Sequence, residues 1–316
     1  SSGEESPSPL AVSAPEARGA PNNPRTTSYM GHSSTDKAGN DRALRFYRDV
    51  LGLERLHYGI WNEEDELTFE ALKAAQARYE QFLIDSLPSD CERILDVGCG
   101  TGEMCKNLLR HGFRVEGLSP DRNQKKVFRE KLKAPFHHSK FEEFSPEEAA
   151  YDCVIMSESA QYIPMDRLFA TARKALKPGG HLMVCDYFVV DQEAGILSES
   201  GHDYGLFLKS AAEAGFRIVE RRDITRDVAK TLDMGRLIAD RMLLALDIFT
   251  ERFRERNRLS YGFVKWMLRK KVAKAQRQLP LLDAERFCAA KRYEFFLFES
   301  LPPAAAKEAA ESLGAA

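Results

Sequence analysis

Hydrophobic and polar positions follow two rhythms along this chain, and each rhythm predicts a different kind of element. Between residues 41 and 87, apolar residues recur at intervals of three and four, which predicts helices. The first helix carries Leu44, Phe46, Tyr47, Val50 and Leu51. A second helix is expected from Thr68 to about Leu87, after an aromatic stretch at residues 56–61. Together they predict an N-terminal helical cap over residues 39–88.

From Arg93 the rhythm changes, and short runs typical of strands alternate with helical stretches. The predicted strands are 93–98, 114–119, 136–140 (a weak one), 151–157, 181–188 (entered through the Lys177-Pro-Gly-Gly turn), 216–221 and 293–298. This alternation predicts an α/β fold, with a doubly wound, mostly parallel seven-stranded sheet and helices on both faces. The core is expected over residues 89–226, and its last strand within 289–300.

Three further segments depart from that alternation. Residues 227–288 form a long helical stretch, which predicts a helical lid over a substrate, inserted before the last strand. Residues 1–38 are rich in Ser, Pro, Ala, Gly and Asn, so they cannot bury enough surface to order and are expected to be a disordered tail. The Ala-rich residues 301–316 are expected to be a second tail.

Composition narrows the class of protein. A content of 43% hydrophobic and 30% charged residues is ordinary for a soluble globular protein, and a net charge of −2 gives no overall attraction to nucleic acid. The six cysteines form no C-x-x-C pair and have no His cluster at metal-ligand spacing, so we expect reduced core thiols and no metal. With no apolar run near the ~20 residues of a membrane span, these features predict a cytoplasmic protein.

The residues that most clearly carry chemistry are Leu95-Asp-Val-Gly-Cys-Gly-Thr-Gly102. A buried strand ends here, and three glycines follow at alternate positions, where they permit a tight turn and close approach of a ligand. The next helix offers free N–H groups and the positive end of its dipole. The spacing differs from G-x-G-x-x-G, so a dinucleotide is not indicated.

This loop resembles motif I of the Rossmann-like, class I methyltransferases that use S-adenosylmethionine (SAM). The resemblance covers residues from about 56 to 226 and is closest to the branch of cyclopropane synthases and of tocopherol, sterol and small-amine methyltransferases. It implies that SAM is the cofactor and S-adenosylhomocysteine (SAH) the product. It also implies that Asp96, Gly98, Gly100 and Gly102 hold the cofactor, with Asp96 accepting from its amine or from ordered water.

The same resemblance assigns further cofactor contacts. Residues 118–124 are similar to the G-[IL]-T-L-S-x-x-Q pattern of the branch, which places Ser119 at the ribose and Gln124 on the cofactor, although Gln124 also suits a solvated helix. Glu116 lies mid-strand, two residues too early to grip the ribose. An aromatic-plus-acid pair for the adenine maps onto Phe141 and Glu142. The remaining two contacts are Tyr58, over the methionine end, and Ser157.

Catalytic candidates come from the end of the fourth strand, since ligands bind at the carboxyl ends of parallel strands. Residues 158–164 resemble the E-S-x-E-H-[MF]-P segment of the branch, which makes Glu158 and Tyr162 catalytic candidates. Gln161 replaces a Glu that helps to hold bicarbonate in cyclopropane synthases, and Tyr162 replaces a His. The first departure argues against cyclopropanation and for ordinary methyl transfer.

A second cluster follows the fifth strand. His202 is a candidate general base because imidazole titrates near neutral pH, although it also suits a structural loop residue. The predicted substrate contacts are Gln161, Tyr187 and Tyr204. We expect Trp61 to pack in the interior rather than contact a substrate, and His57 to be structural.

The lid segment contains a basic, aromatic stretch at residues 252–277. Such a stretch suits a lid with one solvated face, but it also suits peripheral contact with an anionic membrane or a grip on a substrate phosphate. Met and aromatic residues around the site indicate an apolar or amphiphilic small-molecule substrate, methylated on carbon or oxygen. N-methylation of a small amine or a phospholipid head group is the alternative, and an RNA methyltransferase and a non-catalytic SAM-binding scaffold are the more distant ones.

Overall fold

A computed structural model describes residues 49–257 and 277–302 and, between these ranges, residues 261–262, 266–267, 269–270 and 273. The predicted tail at 1–38, residues 41–48 of the first predicted helix, residues 303–316 and much of the basic stretch lie outside the described residues.

A mixed sheet forms the centre of the fold and confirms the predicted α/β class. Its strands are β1 (Arg93–Val97), β2 (Arg114–Leu118), β3 (Phe136–His137), β4 (Tyr151–Ser157), β5 (Leu176–Val189), β6 (His202–Asp203), β7 (Phe216–Asp223) and β8 (Lys291–Ser300). Seven of them follow the order β3-β2-β1-β4-β5-β8-β7, and the two-residue β6 pairs with β5. Strands β1 to β5 pair in parallel, whereas β8 runs antiparallel to both β5 and β7.

Helices cover both faces of this sheet. They are α1 (Phe69–Asp85), α2 (Glu103–Arg110), α3 (Arg122–Val127), α4 (Met165–Ala175), α5 (Tyr204–Glu213), α6 (Thr225–Arg256) and α7 (Ala284–Ala290). The helix predicted from Thr68 is confirmed as α1, and its start has a local cause: the Thr68 hydroxyl accepts from the Ala71 N–H, with Glu70 in the first turn.

Successive residues of the central strands alternate between two hydrophobic clusters, as the period of a strand requires. Leu95, Val154, Leu182 and Phe296 point to the cluster covered by α4 and α5. The neighbouring residues Ile94, Cys153, Met183 and Phe295 point to the cluster under α1 and α2. Both sets are fully buried, and five of the six cysteines are buried free thiols.

The structure departs from the predicted strands at three places. The third strand has only two residues instead of 136–140, because the chain turns away after His137. The fifth starts at Leu176, so the Lys177-Pro-Gly-Gly segment lies inside β5, where the pairing with β4 shifts register between Tyr151 and Cys153. Residues 202–203 add a short strand that the sequence pattern did not predict.

One edge of the sheet gathers the carboxyl ends of β1, β2, β4 and β5. Because β8 is antiparallel, it brings its amino end to that same edge, where Lys291 pairs with Val189 of β5 and Tyr293 with Tyr187. Residues distant in sequence therefore meet where ligands bind in this class of sheet.

Candidate active site

The glycine loop after β1 uses its three glycines differently. All three have positive φ angles, of 76° at Gly98, 51° at Gly100 and 83° at Gly102. A Cβ on Gly98 would lie 2.5 Å from Ser159 Cβ, and one on Gly102 would lie 2.9 Å from Leu132 Cδ1. The nearest atom to a Cβ on Gly100 is 3.9 Å away, so only Gly100 borders open space. A ligand can approach the backbone at that point.

Helix α2 starts directly after this loop. Gly102 is its N-cap and provides no side-chain cap, so the first N–H groups of the helix are available to a ligand. Asp96, one of the predicted cofactor contacts, is buried beneath them and accepts from the Cys105 thiol at 2.8 Å. Burial raises the pKa of Asp96 to about 6. An ammonium group is a partner that would favour its charged form.

The predicted ribose contacts lie on the loop after β2. Ser119 is buried, and its hydroxyl accepts from the Asp121 N–H at 3.1 Å. The half-buried Gln124 lies on α3, where its Oε1 accepts from the Cys99 thiol at 3.6 Å. The structure thus brings Gln124 to the glycine loop. Glu116 instead accepts from Arg93, His137 and Tyr151, which agrees with its exclusion as a ribose ligand.

The two residues predicted to contact the adenine lie in different environments. Phe141 is 2% exposed and belongs to the hydrophobic core. Glu142 is half-buried, with its carboxylate 3.9 Å from the Lys140 ammonium, whereas Glu143 is exposed. Of the predicted pair, Glu142 is therefore the residue whose side chain can contact a ligand. Its carboxylate is partly exposed and lies near the carboxyl edge of the sheet.

Glu158 stands at the end of β4 in a left-handed conformation, with φ of 55°. A non-glycine residue there costs about 1–3 kcal/mol, and such strain clusters at functional sites. Its Oε1 accepts from the Tyr58 N–H at 2.7 Å and from the Tyr293 hydroxyl at 2.6 Å. Since both bonds go to Oε1, Oε2 is the atom that can face a ligand. Desolvation raises the pKa of Glu158.

A chain of hydroxyl groups continues from this carboxylate into the interior. The hydroxyls of Tyr293 and Tyr79 lie 3.1 Å apart, and those of Tyr79 and Ser157 lie 3.0 Å apart. The Tyr58 ring packs 5.4 Å from the Tyr293 ring. Ser157, Glu158 and Tyr58 are thereby joined. Sequence reasoning missed Tyr79 and Tyr293 because they lie on α1 and β8.

Asp186 and Gln161 form a second buried polar pair beside β4. The Asp186 carboxylate accepts from the Gln161 backbone at 3.1 Å and side chain at 3.2 Å, and from the Tyr187 N–H at 2.8 Å. Desolvation raises the pKa of Asp186 to about 7. Gln161 is therefore held by Asp186, while the neighbouring Tyr162 is 64% exposed.

His202 does not have the geometry expected of a general base. It is 5% exposed, and its Nε2 lies 2.9 Å from the Ala160 carbonyl, to which it donates. Its ring stacks on Phe207, and burial lowers its pKa, so the neutral ring is favoured. These contacts support the alternative interpretation of His202 as a structural residue that joins β6 to the end of β4.

The two predicted substrate tyrosines lie on different faces of the sheet. Tyr187 packs with Phe287 and Tyr293 near Glu158. The hydroxyl of Tyr204 instead donates to Glu294 at 3.0 Å, and its ring packs on Phe188 in the other cluster. The structure thus places Tyr187, but not Tyr204, with the aromatic rings around Glu158.

Two residues of the aromatic stretch are structural, as expected. Trp61 is buried in a small cluster with Leu53 and Met234, and its indole donates to the Thr231 hydroxyl at 2.9 Å. His57 pairs with the buried Glu80 at 3.3 Å and stacks on Tyr79.

Two surface cavities are lined by neither the glycine loop nor Glu158. One of about 230 Å³ is beside Pro88 and Lys177, at the opposite edge of the sheet, and one of about 180 Å³ is beside Trp61 and Lys230. Within the described ranges, no group of three His, Cys, Asp or Glu side chains is placed to hold a metal. No described helix is long and apolar enough to cross a bilayer.

Residues 68–231, more than half of the chain, match a family described as a methyltransferase domain, and the chain belongs to that family. This membership identifies residues 68–231 as a methyltransferase domain.

Two curated relatives are a 27-O-demethylrifamycin SV methyltransferase of Amycolatopsis mediterranei, 27% identical over 48% of this chain, and the methyltransferase GfsG of Streptomyces halstedii, 28% identical over 47%. The aligned part spans only 58% and 56% of those relatives.

Solved structures share the fold at lower identity. Geranyl diphosphate C-methyltransferase from Streptomyces coelicolor, solved with Mg²⁺, geranyl diphosphate and SAH, superposes with a TM-score of 0.60 at 18% identity, over 90% of this chain and 100% of that one. The [4+2]-cyclase SpnF superposes with a TM-score of 0.61 at 18% identity, over 84% and 94%. One fold therefore carries different chemistries, and the site must decide between them.

Proposed function

We propose that this chain transfers the methyl group of SAM to a carbon or oxygen atom of a small apolar or amphiphilic metabolite. One arrangement carries the proposal: Gly100 borders open space after β1, and the paired strand β4 presents Glu158 at the same edge. The contact between Gly98 and Ser159, the residue after Glu158, ties the two segments together.

The residues at this edge fit the parts of SAM. The glycine loop and the start of α2 would hold the methionine end, with Asp96 for the amine and Tyr58 over it. Ser119 and Gln124 would face the ribose, and Glu142 the adenine amino group. SAM supplies a methyl group on a sulfonium, which is already activated for displacement.

The chain's own part in the reaction is to align the acceptor, exclude water and, for a hydroxyl acceptor, take a proton. Glu158 Oε2 is the atom proposed to take it, because a raised pKa makes this carboxylate a stronger base. For an alkene acceptor, the same carboxylate and the neighbouring rings of Tyr58 and Tyr293 would stabilise positive charge. The exposed Tyr162 and the half-buried Tyr187 would border the acceptor, beneath a lid to which the described residues of 227–288 would contribute.

N-methylation of a small amine or a phospholipid head group is the second candidate. The aromatic rings around Glu158 favour it, since they can bind a cation. Lys291 argues against it, because its ammonium already lies 3.9 Å from the centroid of the Tyr187 ring. The curated relative from Amycolatopsis mediterranei is named as a methyltransferase for 27-O-demethylrifamycin SV, which supports an oxygen acceptor.

Calorimetric titration with SAM and SAH tests the cofactor site. Wild type should bind both, and Gly100→Val should bind neither, since the new side chain fills the open space. Gly112→Val is the matched control: Gly112 also has a positive φ, of 92°, and open space around it, but it precedes β2 at the opposite edge. Folded wild-type protein that binds neither compound would refute the proposal.

The acceptor is then identified with methyl-labelled SAM. Prenyl, sterol-like and phenolic compounds should take up label, whereas small amines and choline-type head groups should not. Label in the second group alone would establish the N-methyltransferase. Bound SAM without transfer to either group would contradict both acceptor classes.

A further inference from the structure

Glu80 is a buried carboxylate on α1 whose partners come from α2 and from the segment before Tyr58. It is 2% exposed. Its Oε2 accepts from the Asn107 side chain at 2.6 Å and from the Arg55 guanidinium at 2.9 Å, and its Oε1 lies 3.3 Å from His57 Nε2. Desolvation raises the pKa of Glu80, but the hydrogen bonds and charges of His57 and Arg55 outweigh it, so the pKa is lowered. Glu80 is therefore stable in its charged form.

The two ring nitrogens of His57 both face acceptors. Nδ1 lies 2.6 Å from the Tyr58 carbonyl, which can only accept, so this nitrogen carries a hydrogen. Nε2 faces the charged carboxylate of Glu80, which also can only accept. Both nitrogens are donors only in the imidazolium ion. The ring also stacks on Tyr79, with centroids 4.6 Å apart, and an aromatic face favours a cation. These contacts specify a charged His57.

The backbone of Tyr58 connects this charged ring to the site. Its carbonyl accepts from His57, and its N–H donates to Glu158 Oε1 at 2.7 Å. The side chain of Gln76 on α1 also donates to the His57 carbonyl at 2.7 Å, so α1 holds the segment at two points. One residue is thus bonded to His57 on one side and to the proposed base on the other.

The charge of His57 also acts on Glu158 directly. Desolvation raises the pKa of Glu158, and the charge of His57 opposes it, together with the donors of Tyr293 and Tyr58. The other titratable side chains that interact with Glu158 in the described part of the chain are phenols, a thiol and a carboxyl group. They are Tyr79, Tyr162, Cys185, Asp186, Tyr187 and Tyr293.

We propose that Glu80 is a positioning residue for methyl transfer: it keeps His57 charged, and the charged ring holds the Tyr58 backbone against Glu158. The structural pair of Glu80 and His57 thereby takes part in the reaction without contacting the acceptor. The positive charge keeps Glu158 ionised, and so able to take a proton, at lower pH than burial alone allows. The inference rests on the proposed function, because it concerns Glu158 as the group that takes the proton of a hydroxyl acceptor.

Histidine NMR on the full chain tests the first step without any substrate. At about pH 7.5, where a free imidazole is mostly neutral, isotope-labelled wild type should show imidazolium signals that disappear in His57→Gln. Glu80→Gln should change these signals to those of a neutral ring, because an amide can donate to Nε2 but provides no opposite charge. Glu116→Gln is the matched control, since Glu116 is also a partly buried carboxylate paired with an arginine and a histidine, but within the sheet. It should leave the His57 signals unchanged.

The dependence of kcat/KM on pH tests the second step. Glu80→Gln should move the acid limb to higher pH by about 0.5–1 pH unit, because Glu158 loses a nearby positive charge. Glu116→Gln should leave the limb in place. His57→Gln removes the charge from the other side of the pair and should give the same displacement. The double variant should move the limb no further than either single variant, since both act through one charge.

Three results would overturn the inference: a neutral His57 in wild type, an imidazolium that persists in Glu80→Gln, or an acid limb that Glu80→Gln and His57→Gln both leave in place. Failure of the proposed function would look different, because the NMR signals do not depend on turnover. If His57 responds as expected but wild type transfers no methyl group, or does so without an acid limb, Glu158 is not the base. The positioning role would then fall with the proposed function.

Discussion

The Lys291 ammonium lies over the ring of Tyr187, with Nζ 3.9 Å from the ring centroid. Its Nζ also donates to the carbonyl and to the hydroxyl of Ser200, both at 3.0 Å. One buried cation from β8 thus fixes both a site tyrosine at the end of β5 and the loop that leads into β6. Burial lowers the pKa of Lys291 to about 8.

We expect Lys291→Met to loosen that loop. A desolvated cation–π contact and the lost hydrogen bonds are together worth about 2–3 kcal/mol of unfolding free energy. The KM for the acceptor should rise several-fold, while the Kd for SAM changes little, because the glycine loop is untouched. Lys177→Met, which removes a more exposed lysine paired with Asp152 at the other edge, is the control for both measurements.

Glu158→Gln should separate chemistry from binding. If Glu158 takes the proton of a hydroxyl acceptor, kcat should fall by about 10²- to 10⁴-fold. The Kd for SAM should stay within about threefold, since the amide oxygen can still accept from Tyr58. Glu143→Gln changes an exposed acid nearby and should affect neither value. An unchanged kcat for Glu158→Gln would remove this residue from the proposed mechanism.

Tyr293→Phe should shift a pH profile rather than abolish activity. The Tyr293 hydroxyl donates to the Glu158 carboxylate and lowers its pKa, in opposition to desolvation. Without that donor the pKa of Glu158 rises further, so the acid limb of kcat/KM against pH should move to higher pH. A loss of activity with an unmoved limb would indicate a purely structural tyrosine.

Gly98→Ala should destabilise the fold through one identifiable contact. The new Cβ would meet Ser159 Cβ at 2.5 Å, in addition to the strain of a positive φ. Overpacking of this kind costs about 1–3 kcal/mol. The double variant Gly98→Ala/Ser159→Gly restores the space but keeps the backbone strain. Denaturant unfolding should therefore show that part of the lost free energy of unfolding is recovered. If the changes in the free energy of unfolding caused by the two single substitutions simply added up in the double variant, that result would contradict the contact.

The contribution of Asp186 to stability should fall as pH rises from about 4 to 7. The pKa of Asp186 is about 7 in the native protein, whereas its ordinary value, which applies to the unfolded chain, is 3.8. Between these two pH values the native state holds a proton that the unfolded chain has lost. Each such group contributes a slope of about −1.4 kcal/mol per pH unit between about pH 4 and 7. Asp186→Asn should remove the contribution of Asp186 to the slope of unfolding free energy against pH. Urea unfolding at several pH values measures this slope.

Asp152→Asn serves as the control for that experiment. Lys177 and the backbone N–H groups of Glu92 and Arg93 lower the pKa of Asp152, although its partial burial opposes them. Its contribution is therefore present at neutral pH and lost only in more acidic solution. The slope between pH 4 and 7 should stay as in wild type.

The sequence predicted those features that depend on neighbours along the chain. The strand before Gly98, the turn of the glycine loop and the position of Glu158 at a strand end all follow from local pattern and from the rule that ligands meet the carboxyl ends of strands. The packed Trp61 and the mid-strand position of Glu116 also agree with expectation.

The features that depend on distant partners were not predictable in this way. Tyr293 reaches Glu158 across 135 residues, and Tyr79 is joined to Tyr293 across 214. An isolated tyrosine in a helical or strand pattern gives no sign of such a partner. His202 shows the opposite case: its residue type suggested chemistry, but burial and the carbonyl of Ala160 commit it to the fold.

The position of β8 in the sheet determines when the protein can complete its fold during synthesis. This strand is the last one along the described chain, yet it fills the gap between β5 and β7 and delivers Lys291 and Tyr293 to the site. During synthesis, β5 and β7 emerge with their facing edges unpaired, and Glu158 emerges long before the hydroxyl that it binds. A growing chain therefore cannot assemble this site until residues 291–300 have left the ribosome, so any product cut short before them lacks both the completed sheet and the finished site.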